Sequence, residues 1–336
     1  MNSRHRSPSS LALGLAALLA GALPALGRAQ QAPAEAAPRV ATALARVIDG
    51  DTLHVLRAGQ LEKLRLLGVD TEEVRDSGPG SKPVTGLGRA ASAHMKELLR
   101  CDEKGQPRAD VPPATIELEF EGGVEERDTF GRLLCYAWFE GRNLNLHLVE
   151  TGFSPYFTKY GYSGAHHAAL SAAQERARAE RRGIFGERAP GDAGRDYTAM
   201  LAWWNARADA LRDAAAELAR PEGWIDVRNA ARLRERASAS AGGSAELRTV
   251  FGAILAVRVE RERVVVELEA TTAFPCTVEW RGSPVELEAV LRLLRHASEG
   301  AANFITARGK LVVNEKAARV ELTSLAEIEL RGATKR

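Results

Sequence analysis

Between Arg46 and Leu67 the chain reads as short strands joined by tight turns. Arg46-Val47-Ile48 ends at Asp49-Gly50-Asp51, where Gly50 permits a sharp turn. Leu53, Val55 and the run Leu61 to Leu67 continue the pattern, with a hairpin turn at Arg57-Ala58-Gly59-Gln60. A chain of this kind folds as a meander. In its third strand Leu64 and Leu66 share one face, and Arg65 and Leu67 share the other. The strand breaks off at Gly68-Val69-Asp70, which leaves Asp70-Thr71-Glu72-Glu73 on a loop at the sheet edge. Charged groups gathered on loops over a small barrel form an accessible site.

The residues on those loops are carboxylates and arginines. Asp49, Asp51, Asp70 and Glu73 lie either side of Arg65, and Arg132 follows in Asp128-Thr129-Phe130-Gly131-Arg132. A phosphodiester is an anion, so its cleavage requires neutralised non-bridging oxygens, an activated water and a stabilised leaving group. Hard cations such as Ca²⁺ prefer carboxylate and carbonyl oxygens, which Asp51, Asp70 and the Thr71 carbonyl can supply. Arginine matches two phosphate oxygens with its planar fork, and a spare carboxylate such as Glu73 is a candidate general base. Taken singly, each feature has a plainer meaning. Asp-Gly is commonly a turn, Arg65 a solvated strand residue, and Asp128 with Arg132 a surface ion pair of small value. Their joint occurrence in this order favours the phosphodiester reading.

These segments resemble the staphylococcal nuclease (thermonuclease) family. The matching stretches are Val47 to Thr52, Leu64 to Glu73 and Asp128 to Arg132, then Gly88 to Ala93, Asn143 to Gly152 and Gly183 to Gly186, spanning about 39–188. The resemblance implies an OB-like five-stranded barrel with helices, and Ca²⁺ held by Asp51, Asp70 and the Thr71 carbonyl with Asp49 behind them. It implies Glu73 as general base and Arg65 and Arg132 as phosphate ligands. The expected reaction is endonucleolytic hydrolysis of DNA and RNA that leaves 3′-phosphates. Tyr156 and Tyr160 fall near the region where the family sets tyrosines against the substrate. Two departures stand out. Glu72 replaces the family's usual proline, which frees the loop and adds negative charge near the cation, and Thr129 replaces a frequent lysine.

Charge does not mark a nucleic-acid binder of the strongly basic kind. The chain has 46 basic and 44 acidic residues, and 39–188 alone carries 21 basic against 22 acidic. Attraction must be local, around Arg65, Arg132, Lys82 and Arg89. At the N-terminus Arg4, His5 and Arg6 precede an apolar run from Leu11 to Leu26, with small residues around Ala29. This reads as a signal peptide over 1–29 cleaved after Ala29, which implies a secreted or periplasmic protein with no stable membrane association afterwards. A flexible leader occupies 30–38. In an oxidising compartment three cysteines cannot all pair within the chain. A Cys101–Cys135 bridge is open, as is a buried free thiol.

The remainder is organised as a helical linker region over 189–246 and a second β segment over 247–331. Residues 196–220 and 225–237 read as helices, the first carrying Trp203 and Trp204 and stopped by Pro221. Strands at 250–256, 264–270 and 276–280, a helix at 287–297, and strands at 304–313, 318–322 and 328–330 give the order of a second OB-like barrel. The stretch Ile305 to Leu311 weakly resembles a late strand of OB-fold domains, which bind single strands through aromatic and basic residues. Phe274, Trp280 and Phe304 are few for that task. The fold class is α+β and mainly β. The alternative to an enzyme is a non-catalytic module of the same two folds that binds nucleic acid or protein.

Overall fold

Period-two burial and the turn at Ala58-Gly59 produce the expected meander. Strands β1 (Val40–Val47), β2 (Thr52–Arg57) and β3 (Gln60–Leu66) pair antiparallel, with Val47 opposite Leu53 and Leu53 opposite Leu64. The computed structural model describes residues 38–75, 84–128, 130–187, 194–238, 247–260, 263–271, 273–299 and 303–331. The signal peptide, nearly all of the leader, Lys82 and Thr129 lie outside the described residues.

After the meander come α1 (Gly86–Leu98), β4 (Thr115–Glu119), the short β5 (Glu126–Arg127), β6 (Leu133–Phe139), β7 (Arg142–Asn143), α2 (Leu144–Glu150) and α3 (His167–Ala179). β4 pairs with both β1 and β6, and β6 returns parallel to β3 with Leu64 opposite Leu133. That last pairing closes a five-stranded barrel. Leu44, Val47, Leu53, Val55, Leu64 and Leu66 fill it at 2% exposure or less. Each such side chain contributes about 1.5–3 kcal/mol by leaving water.

The chain continues through α4 (Tyr197–Ala219), β8 (Ile225–Asp226) and α5 (Ala230–Ser238). It then forms β9 (Leu247–Glu260), β10 (Arg263–Thr271), β11 (Phe274–Arg281), α6 (Pro284–Glu299), β12 (Phe304–Val313), β13 (Ala318–Leu322) and β14 (Ile328–Arg331). β9, β10 and β11 form a meander, β12 pairs with β9 and β13, and β13 runs parallel to β11. The two closed barrels therefore share one connectivity. The molecule is mixed α+β with OB-like barrels.

One expectation needs correction, and two open points are decided. Ile225-Asp226, read as the start of a helix, is instead an edge strand parallel to β9, because Ile225 finds a place in the second core at 0% exposure. Phe274, Trp280 and Phe304 are at most 4% exposed; the first two pack the second core and Phe304 packs with Phe251 against α4, so none presents a stacking surface. All three cysteines are buried and free, so the open bridge between Cys101 and Cys135 is not made. Burial pushes the Cys135 and Cys276 thiols up to about 12, which leaves them inert.

Helix α4 is a wedge rather than a spacer. Trp204 is 2% exposed and meets the Phe157 ring edge-on at 4.7 Å, while Ala210 and Ala214 join Phe251 and Phe304 in one apolar cluster. Between these ends Arg207, 3% exposed, donates to Asn303 Oδ1 at 2.7 Å, Glu269 Oε2 at 2.6 Å and the Lys159 carbonyl at 3.3 Å. A buried guanidinium is tolerated only with such partners.

Candidate active site

Two close backbone approaches and two buried side chains bring the acidic loops together. The Asp49–Asp51 turn packs so closely on Thr71 that a Cβ at Gly50 would lie 2.6 Å from the Thr71 methyl. The start of α1 lies against the second loop, where a Cβ at Gly88 would meet the Glu73 carbonyl oxygen at 2.3 Å. Asn145, fully buried, accepts from the Ala137 N–H at 2.9 Å and donates to the Leu67 carbonyl at 2.7 Å. It thereby pins the point where the chain leaves β3. Ser154 Oγ accepts the Asp70 N–H at 2.8 Å.

On this frame Asp51 and Asp70 are 4% and 3% exposed and converge on one guanidinium. Arg65 Nη1 pairs with Asp51 Oδ1, and Arg65 Nη2 donates to Asp70 Oδ1 at 2.9 Å and to the Val69 carbonyl at 3.2 Å. Asp51 Oδ2 accepts the Thr71 N–H at 2.7 Å and the Thr71 hydroxyl at 3.1 Å. Asp49 accepts the Asp51 N–H at 3.1 Å. Burial, reinforced by the Asp51 charge, pushes the Asp49 carboxyl up to about 7. Burial opposes the charge on Arg65, but Asp51 and Asp70 outweigh it and raise its pKa.

Glu73 is half-buried, and its carbonyl accepts the Thr85 N–H at 3.3 Å. Glu72 behaves differently from the freed, cation-facing residue expected from the missing proline. It is 2% exposed, accepts the Thr85 hydroxyl and takes a hydrogen bond from Tyr197 Oη at 3.0 Å. Thr85 caps α1 by accepting the Gly88 N–H at 3.0 Å, so Glu72 ties the loop to a helix N-terminus.

Arg132 stands one residue before β6, beside the strand that carries Arg65. Asp128 orients it, accepting from Arg132 Nε at 2.7 Å and from the Arg132 N–H at 2.9 Å. Phe130, 80% exposed, lies 5.4 Å from that guanidinium.

Tyr156 does not reach a surface. It is 3% exposed, its hydroxyl accepts the Ser163 N–H at 2.9 Å, and its ring packs beneath Gly68. A ring so placed braces the loop and offers no face to a base, which corrects its assignment to substrate. Tyr160 is 60% exposed and lines a small crevice with Arg207 and Glu269.

Two residues of the site were not singled out from sequence. Arg195 Nη1 donates to Asp70 Oδ2 at 2.8 Å, and Tyr197 holds Glu72. Neither sits in a motif, and only the docking of α4 reveals them. A groove of about 480 Å³ runs beside the two acidic loops between Ile48 and Val74, with Arg75, Arg89 and Lys96 on its walls.

Among the described residues no three His, Cys, Asp or Glu side chains gather as a metal nest. The groups that do converge are the Asp51 and Asp70 carboxylates, with the Thr71 N–H and hydroxyl donating to Asp51. Carboxylate oxygens are of the type a hard cation takes, and in this structure the Arg65 guanidinium lies between them.

Residues 63–187 match the model of the family described as Staphylococcal nuclease homologue. The chain carries a staphylococcal-nuclease-like domain. It is 34% identical over 109 residues to a thermonuclease of Staphylococcus intermedius, covering 32% of this chain and 55% of that protein. It is 32% identical over 111 residues to endonuclease YncB of Bacillus subtilis (strain 168), covering 33% and 45%. A longer match, 30% over 167 residues, joins it to endonuclease YhcR of the same organism, covering 48% of this chain and 13% of that one. The chain thus spans about half the length of the first two relatives. No helix among the described residues is long and apolar enough to cross a membrane.

Proposed function

We propose that this chain is an exported, Ca²⁺-dependent endonuclease that hydrolyses phosphodiester bonds of DNA and RNA in its nuclease-like domain. The observation that carries the reading is the convergence of Asp51 and Asp70, from separate loops, on the Arg65 guanidinium. Arg65 and Arg195 offset these two buried charges in the chain as folded, and a bound cation would take over part of that neutralisation.

Asp51, Asp70 and the Thr71 carbonyl would hold Ca²⁺, with Asp49 supporting Asp51. The cation supplies Lewis-acid polarisation of the scissile phosphate when bound. Glu73 takes the proton of the attacking water. Arg65 and Arg132 bind the non-bridging oxygens, and their charge counts for more as negative charge grows on the phosphate. Asp128 keeps Arg132 in one orientation, so little side-chain entropy is lost on binding. Phe130 offers an exposed ring to a base, Arg75 and Arg89 offer charge to neighbouring phosphates, and Tyr160 stands on the surface at greater remove. The segment 1–29 directs export and is cleaved after Ala29.

The test is digestion of plasmid DNA and single-stranded RNA by the purified chain, with Ca²⁺ and with a chelator. Cleavage in Ca²⁺ that stops in chelator is expected. Cleavage that survives chelation removes the metal assignment, and binding without cleavage establishes the non-catalytic module instead.

A further inference from the structure

The matched family segment stops at residue 187, yet Asp70 is held from beyond it. Its two carboxylate oxygens are divided between two arginines, Oδ1 to Arg65 and Oδ2 to Arg195. Arg195 is not a surface side chain that happens to reach inward. Its side chain is 10% exposed, and its guanidinium carbon lies 5.4 Å from the Tyr197 ring and 5.6 Å from the Trp204 ring. Both rings are fixed in turn, Tyr197 through Glu72 and Trp204 through Phe157. An arginine held this way is a built part of the site.

We propose that Arg195 is a third substrate-binding arginine, supplied to the nuclease-like domain from the position just before the N-cap of α4. The inference rests on the reading of Asp70 as a cation ligand. A cation on Asp70 takes over the neutralisation that Arg195 provides, and the guanidinium is then left beside the scissile phosphate with donors to spare. Its aromatic cradle keeps it there. Arg195 therefore acts with opposite sign on the two ligands. It competes with the cation for Asp70 and attracts the phosphate. A residue that merely supported the fold would weaken both.

The test compares wild type, Arg195→Ala and Arg195→Lys in the full chain, with folding checked by circular dichroism. Ca²⁺ affinity is measured by calorimetry without nucleic acid, and affinity for a phosphorothioate oligonucleotide is measured in saturating Ca²⁺. In Arg195→Ala, Ca²⁺ should bind about tenfold more tightly and the oligonucleotide about tenfold more weakly, one lost charge contact in each case. Arg195→Lys keeps charge without the fork and should restore the Ca²⁺ affinity of wild type but only part of the oligonucleotide affinity. Both affinities falling together, or neither changing while wild type binds Ca²⁺, overturns the proposal. A wild-type chain that binds no Ca²⁺ overturns the nuclease reading itself.

Discussion

Replacing Arg65 by alanine separates its structural from its chemical role. In the folded chain Arg65 neutralises Asp51 and Asp70, both at most 4% exposed. At about 4 Å and an effective dielectric of about 20, each pair has a Coulomb energy of about 4 kcal/mol before desolvation. Breaking one side of a buried pair costs about 3–5 kcal/mol. Arg195 stays on Asp70, so the lower end applies, about 3 kcal/mol, or about 6 °C in melting temperature. The loss should depend on the cation. A bound Ca²⁺ returns the missing positive charge, so it should stabilise Arg65→Ala by about 1–2 kcal/mol more than it stabilises wild type. Thermal unfolding of both proteins across a Ca²⁺ series reads this difference. Equal Ca²⁺ shifts in the two, or a variant as stable as wild type in chelator, would refute the argument that these carboxylates form one cation-binding pair.

Other outcomes follow from single contacts. Glu73→Gln should lower the rate about 100-fold or more with little change in Ca²⁺ affinity, measured by single-turnover cleavage; equal rates would discard the general-base role. Arg132→Lys should lose most activity although charge is kept, because the fork that Asp128 orients is lost. Asn145→Ala removes both ties between β6 and the exit of β3, and urea unfolding should show a loss of about 2–3 kcal/mol. His147 is held down to about 4 from 6.5 by burial, then by His94 and Arg142. The unfolded chain therefore takes up that proton first. The stability His147 contributes is complete above pH 6.5 and fades as pH falls toward 4. Allowing for its partial exposure, the loss is about 1–2 kcal/mol, and His147→Gln should flatten that slope.

Strands and turns were legible in the sequence because they rest on local rules. Period-two alternation placed Leu64 and Leu66 inward, and the strands of both meanders lie where their patterns put them, except that β1 begins at Val40, well before the Arg46 to Ile48 segment read from sequence. Thr85 and Asn143 cap α1 and α2 through bonds to residues three positions away, contacts of the same local kind. Ile225-Asp226 was not legible, because a two-residue strand has no periodicity of its own and exists only through its pairing with β9.

The acidic loops show the same division. Their residue types and order, with Arg65 between them, were written in the sequence, as was the need for Gly50 to turn. That Asp51 and Asp70 meet at one guanidinium depends on barrel closure through the β3–β6 pairing and on the bracing of Asn145 and Ser154. Burial of Tyr156, anchoring of Glu72 and arrival of Arg195 at Asp70 depend on packing between segments far apart in the chain. Local sequence sets which backbone conformations and charges are available. Which charges share a buried space is decided by the long-range contacts that exclude water around them.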